Sequence, residues 1–99
     1  MNILKKAEGE ALTIALEGRL DTTTSPQLDE VLDVSLDNVQ DLTLDLHELS
    51  YISSAGLRVL LRAQRKMNAK QGKMRVTGVS DGIMEIFEIT GFSEILTIE

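Results

Sequence analysis

Between Asp41 and Gly72 the period of the apolar residues changes twice, and this does most to limit what the chain can fold into. "DLTLDLHEL" alternates at Leu42, Leu44 and Leu46, which is the pattern of a strand with one buried face. After "SYISSAG" the spacing becomes helical. Leu57, Leu60, Leu61 and Met67 form one stripe, while Arg58, Arg62, Arg65, Lys66 and Lys70 fall largely away from it. Gly72 is a helix stop, and "KMRVTGV" returns to a short strand. Strand, helix and strand in that order require a crossover, so the spacing predicts some parallel pairing, normally right-handed.

The rest of the chain extends the same sheet. "ALTIALEG" (Ala11 to Gly18) reads as a strand, and "NILKKA" before it as a partner strand with a turn near Gly9. "TTTSPQLDEVLDVSLD" reads as a helix with Ser25 as N-cap and Pro26 at the first helical position. Its inward face is Leu28, Val31, Leu32, Ser35 and Leu36. "SDGIMEIFEITG" is a short helix capped by Ser80 or Asp81 and closed by Gly91, and "SEILTIE" is a last strand or an extended tail. The expectation is one α/β domain over residues 1–99, with a mixed β-sheet and helices packed mainly on one face. The only aromatic residues are Tyr51, Phe87 and Phe92, so the core must be built from Leu, Ile, Val and Met.

Several functions are disfavoured. The chain has no cysteine, so disulfides, thiolate metal sites and thiol catalysis are absent. The net charge of −6 does not suit a general nucleic-acid binder. No run approaches the roughly 20 apolar residues of a membrane span, and the first residues do not read as a signal peptide, so a cytoplasmic location is expected. No phosphate-binding glycine loop is present, and no cofactor is expected. His47 stands near Asp45 and Ser54 in sequence, but no nucleophile-elbow motif surrounds Ser54, and the chain does not read as an enzyme. The charge is uneven. Residues 1–50 carry 3 basic and 11 acidic groups, and residues 51–99 carry 7 and 5. Such polarity suits a charged protein partner.

The turn "SSAG" between strand and helix has two readings. Ser54 is a helix cap, or it is a hydroxyl placed for modification. Ala55 and Gly56 leave it unshielded, and glycine in a first helical turn costs up to about 1 kcal/mol relative to alanine, which points to a packing or access requirement. A phosphate there would meet unpaired N–H groups at the positive end of the helix, with Arg58 one turn on.

With these residues in view, the sequence resembles the single-domain anti-sigma factor antagonists of the STAS family (sulfate transporter and anti-sigma factor antagonist). The matching segments are "LEGRLDTTTSPQL", "DLTLDLHELSYISSAGLRVLLRA" and "ITGFSEILTI", in order over nearly the whole chain. The resemblance implies a protein that binds an anti-sigma factor which is also a serine kinase, and so frees a sigma factor. Phosphorylation of one serine blocks that capture, and a serine phosphatase restores it. The phosphorylated serine falls on Ser54. Ser53 stands where the family commonly has an aspartate, Ala55 where it has a second small hydroxyl residue, and Gly56 on its glycine. The aspartate of the family's early turn falls on Asp21.

Other residues keep two readings. Asp21 is a turn residue, or it lies near Ser54 and assists the kinase's engagement. The cations Arg58, Arg62, Arg65 and Lys66 form a solvated helix face, or a docking surface for an acidic patch. The expected partner-binding set is Asp21, Ser53, Ser54, Ala55, Gly56, Arg58 and Arg62. No direct contact with nucleic acid or membrane is expected. The alternatives are a STAS-like accessory subunit of a membrane transporter's ATPase without phosphorylation, a hydrolase dependent on His47, and a small-ligand sensor.

Overall fold

The structure, a computed structural model, describes residues 1–99. The elements are β1 (Asn2–Glu8), β2 (Ala11–Leu20), α1 (Ser25–Ser35), β3 (Asp41–Ile52), α2 (Ser54–Ala69), β4 (Lys73–Thr77), α3 (Asp81–Thr90) and a 3₁₀ turn, Phe92–Glu94. The strands lie in the order β1-β2-β3-β4, with β1 antiparallel to β2 and the other pairs parallel. The mixed sheet expected from the change of period is therefore present. "SEILTIE" is not a strand of any length: after the 3₁₀ turn only Ile98 pairs, through a single parallel bridge to Val76. No helix is long and apolar enough to cross a membrane.

Strand alternation sets the core. Leu12, Ile14 and Leu16 of β2, Leu42, Leu44 and Leu46 of β3, and Met74 and Val76 of β4 are buried on one face. The positions between them, such as Thr13, Thr43 and Asp45, remain partly or fully exposed. Leu28 and Leu32 of α1, Leu60, Ala63 and Met67 of α2, and Ile83 and Phe87 of α3 complete the same core. Each fully buried leucine removes enough apolar surface from water to contribute about 2 kcal/mol.

Two details depart from the simple pattern. Beyond Leu46 the buried positions of β3 are Leu49 and Ile52, a spacing of three rather than two. The register of β2 against β3 shifts between Ala15 and Glu17 and again between Gly18 and Arg19, and β3 carries the extra residue each time. These bulges bring Tyr51 opposite Arg19 and Ile52 opposite Leu20, at the end of the sheet from which α1 and α2 depart. In α2, Leu61 is only half-buried, while Val59, Ala63 and Gln64 are buried. The inward stripe is centred on Gly56, Leu60, Ala63 and Met67, which places Leu61 on its shoulder. At the helix end, Gln71 takes the left-handed conformation (φ 59°). Gly72 permits close approach instead, because a Cβ there would lie 2.9 Å from the Gln40 carbonyl oxygen.

Candidate functional site

The site forms where β2 and β3 end side by side and each turns into a helix. The Ser53 N–H donates to the Leu20 carbonyl at 2.9 Å and ties the two turns together. In the first turn, the Asp21 carboxylate accepts from the N–H groups of Thr23 and Thr24, both at 3.0 Å, while the Asp21 N–H donates to Thr24 Oγ1 at 2.9 Å. The Thr24 N–H, chiefly, holds the Asp21 carboxyl below the usual aspartate range, with help from Thr23 and from Arg19 at 3.7 Å. Asp21 thus does the work of a turn residue. Ser25 is not the cap of α1. Thr24 holds that position, without a side-chain capping bond, and Ser25 is the first helical residue. The Ser25 hydroxyl is buried and donates to the Asp21 carbonyl at 2.6 Å.

The second turn separates the two roles that the sequence left together on Ser54. Ser53 has the extended backbone a cap requires (φ −100°, ψ 175°), and its hydroxyl oxygen accepts from the Gly56 N–H at 3.4 Å. Ser54 is the first residue of α2, is exposed, and has no hydrogen-bond partner for its hydroxyl within the domain. Ala55 beside it is half-buried. Gly56 is buried for packing: a Cβ there would lie 2.8 Å from Leu20 Cγ and 2.9 Å from Ile52 Cγ1, two side chains that anchor the strand ends. The close seat of α2 on these residues fixes where Ser54 stands.

Two of the four basic residues of α2, Arg62 and Lys66, are engaged by the neighbouring helix. Arg62 pairs with Asp29 at 2.7 Å, and Lys66 pairs with Asp33 one turn further along both helices. Lys70 donates to the carbonyls of Leu36, Asp37 (3.3 Å) and Val39 (3.2 Å) just past the end of α1. Half of the stripe, Arg62 and Lys66, thus joins α2 to α1. Arg58 and Arg65 are exposed and form no ion pair. Between the first turns of the two helices lies a shallow groove of about 290 Å³, whose walls include Thr22, Pro26, Ala55, Arg58 and Arg62.

His47 does not join a triad. Its Nδ1 lies 3.0 Å from Asp45 Oδ1, but its Nε2 lies 3.2 Å from Glu48 Oε1 rather than a serine hydroxyl. The Asp45 carboxylate, chiefly, raises the imidazole's pKa. Sequence reasoning missed the Arg19–Tyr51 pair, with the guanidinium 4.2 Å from the ring centre, because the bulges that align them leave no simple periodic signal. It also missed the Asp29 and Asp33 partners, although Asp29/Asp33 and Arg62/Lys66 each show a four-residue spacing that pairs of this kind require.

A family model described as the STAS domain matches residues 2–99. The chain is 34% identical over 103 residues to the anti-sigma-B factor antagonist of Listeria monocytogenes, in a match that spans 100% of this chain and 90% of that relative. It is 30% identical over 99 residues to the anti-sigma-B factor antagonist of Staphylococcus aureus, covering 99% of this chain and 92% of the relative. Among solved structures, the Bacillus cell fate determinant SpoIIAA in its phosphorylated form superposes with a TM-score of 0.79 at 19% identity, over 99% of this chain and 91% of that one. That likeness supports the fold.

Proposed function

The chain belongs to the STAS domain family, and from that premise we propose that it is an anti-sigma factor antagonist. It binds an anti-sigma factor that is also a serine kinase, and so releases a sigma factor in the cytoplasm. It performs no chemistry of its own and serves as the substrate of phosphoryl transfer. Ser54 Oγ attacks the γ-phosphorus of the kinase's ATP, the bond to the bridging oxygen breaks, and ADP leaves. The hydroxyl proton passes to a base on the kinase. A serine phosphatase reverses the modification.

The observation that carries this reading is the division of labour at "SS": Ser53 caps α2, so the Ser54 hydroxyl is exposed and uncommitted. A phosphate on Ser54 adds a charge of about −1.5 to −2 without breaking any hydrogen bond of the domain, and it repels or fails to desolvate in a protein interface. The names of the Listeria and Staphylococcus relatives support the same partner class.

The test is intact mass and peptide mapping after incubation with the serine-kinase anti-sigma factor of the same organism and ATP. One phosphate on Ser54, and loss of capture by the Ser54→Asp protein, are expected. A Ser54→Asp protein that binds as tightly as the native one would overturn the proposal.

A further inference from the structure

The groove beside Ser54 is unbalanced in charge. Arg62 on its wall is neutralised by Asp29 at 2.7 Å. Arg58, on the same wall, has no counterpart, so the groove holds one surplus positive charge in a protein whose net charge is −6. The rest of the groove offers the small or flat side chains of Ala55 and Pro26 and the Thr22 hydroxyl, which leave room for an incoming side chain. Arg58 also lies four residues after Ser54 on α2, one helical turn away and on the same face.

Taking Ser54 as the phosphoacceptor, we propose that Arg58 has two competing partners. In the unmodified protein it receives a carboxylate of the anti-sigma factor in this groove. In the phosphorylated protein it turns onto phosphoserine 54 and leaves the groove without its free cation. A dianionic phosphate one turn away is a stronger claimant for a guanidinium than a single carboxylate, because it offers three acceptor oxygens and up to twice the charge. Arg62 cannot replace it without abandoning Asp29, a partly buried carboxylate (side chain 23% exposed) that would lose its counter-charge. The switch then removes an attraction as well as adding a repulsion.

Phosphoserine introduced at position 54 by genetic encoding makes the test independent of any kinase. The second ionisation of the phosphate is followed by phosphorus NMR in the native background and in Arg58→Gln and Arg65→Gln proteins. The N–H groups at the start of α2 act equally on all three, so their differences report the arginines alone. The expected result is a second pKa about half a unit or more higher in Arg58→Gln than in the native background, with no change in Arg65→Gln. Equal values in all three would overturn the pairing. For the unmodified proteins, binding to the serine-kinase anti-sigma factor of the same organism is expected to weaken about tenfold in Arg58→Gln and to stay native in Arg65→Gln. Native affinity in Arg58→Gln would overturn the docking role. If that kinase leaves Ser54 unmodified, the reading of Ser54 fails by itself, because the phosphorus titration still reports on Arg58.

Discussion

Helices α2 and α3 begin in the same way and are finished differently. Each follows a parallel strand, and each is capped by a serine whose hydroxyl accepts from the N–H three residues on: Ser53 from Gly56 at 3.4 Å, and Ser80 from Ile83 at 3.3 Å. The next residue is Ser54 in α2 and Asp81 in α3. Glycine is third after the cap in α2 and second in α3, and only the first is crowded. A Cβ on Gly56 meets Leu20 and Ile52 below 3 Å, whereas one on Gly82 meets nothing within 4 Å. The first turn of α3 therefore carries a permanent negative charge where the helix dipole favours one. The first turn of α2 carries no acid, is pressed onto the strand ends, and exposes a hydroxyl at the position where α3 has its carboxylate. The difference teaches that charge at this position is compatible with the fold. Under the proposed phosphorylation of Ser54, that charge becomes conditional and changes the surface without requiring the helix to move.

The largest expected effect concerns the two glycines. Gly56→Ala forces a methyl into Leu20 and Ile52 and is expected to destabilise the domain by about 1–3 kcal/mol in urea denaturation. Gly82→Ala has open space and gains helix propensity, so it is expected to stabilise by up to about 1 kcal/mol. Opposite signs sharpen the contrast between the two helix starts. If both substitutions stabilise, α2 is not held by close approach at Gly56.

The adjacent serines come next. Ser53→Ala removes a cap and is expected to cost about 1 kcal/mol, as is Ser80→Ala at the start of α3. Ser54→Ala removes a hydroxyl that bonds to nothing in the domain, so its midpoint in urea should stay native. A Ser54→Ala protein as unstable as Ser53→Ala would return the capping role to Ser54 and dissolve the distinction on which the phosphorylation reading rests.

That distinction marks the limit of what the sequence could tell. The strands and helices were legible because the apolar period changes from two to about 3.6 at "SSAG", and Ser80 and Gly91 punctuate α3 where the pattern requires. Which of Ser53 and Ser54 caps α2 was not legible, since both hydroxyls suit a cap and only the backbone angles separate them. The same ambiguity placed Ser25 at the cap of α1, one residue late. At Gly56 the sequence signalled that some requirement existed but not which, because the Leu20 side chain that enforces it lies on another strand. The basic stripe was visible, but its pairing with Asp29 and Asp33 depends on how two helices lie against each other. Periodicity reports what lies along a chain, whereas this site is made where the ends of two strands meet.

The smallest expected effect bears on how the switch works. Ser54→Asp places at the start of α2 the kind of charge that Asp81 supplies to α3, and both should interact favourably with the unpaired N–H groups there. Ser54→Asp is therefore expected to stabilise by about 0.3–1 kcal/mol at low ionic strength, and Asp81→Asn to destabilise by about the same amount. Both shifts should shrink as salt is added, because exposed charges are screened within roughly 10 Å at 0.1 M. Urea midpoints at two salt concentrations measure this directly. A Ser54→Asp protein destabilised by more than about 1 kcal/mol would mean that charge at Ser54 opens the start of α2, and the switch would then act through local unfolding. The expected small gain means that a domain phosphorylated as proposed would keep its fold and lose only its partner. With its fold intact, it would remain a substrate for the proposed phosphatase and could bind again once dephosphorylated.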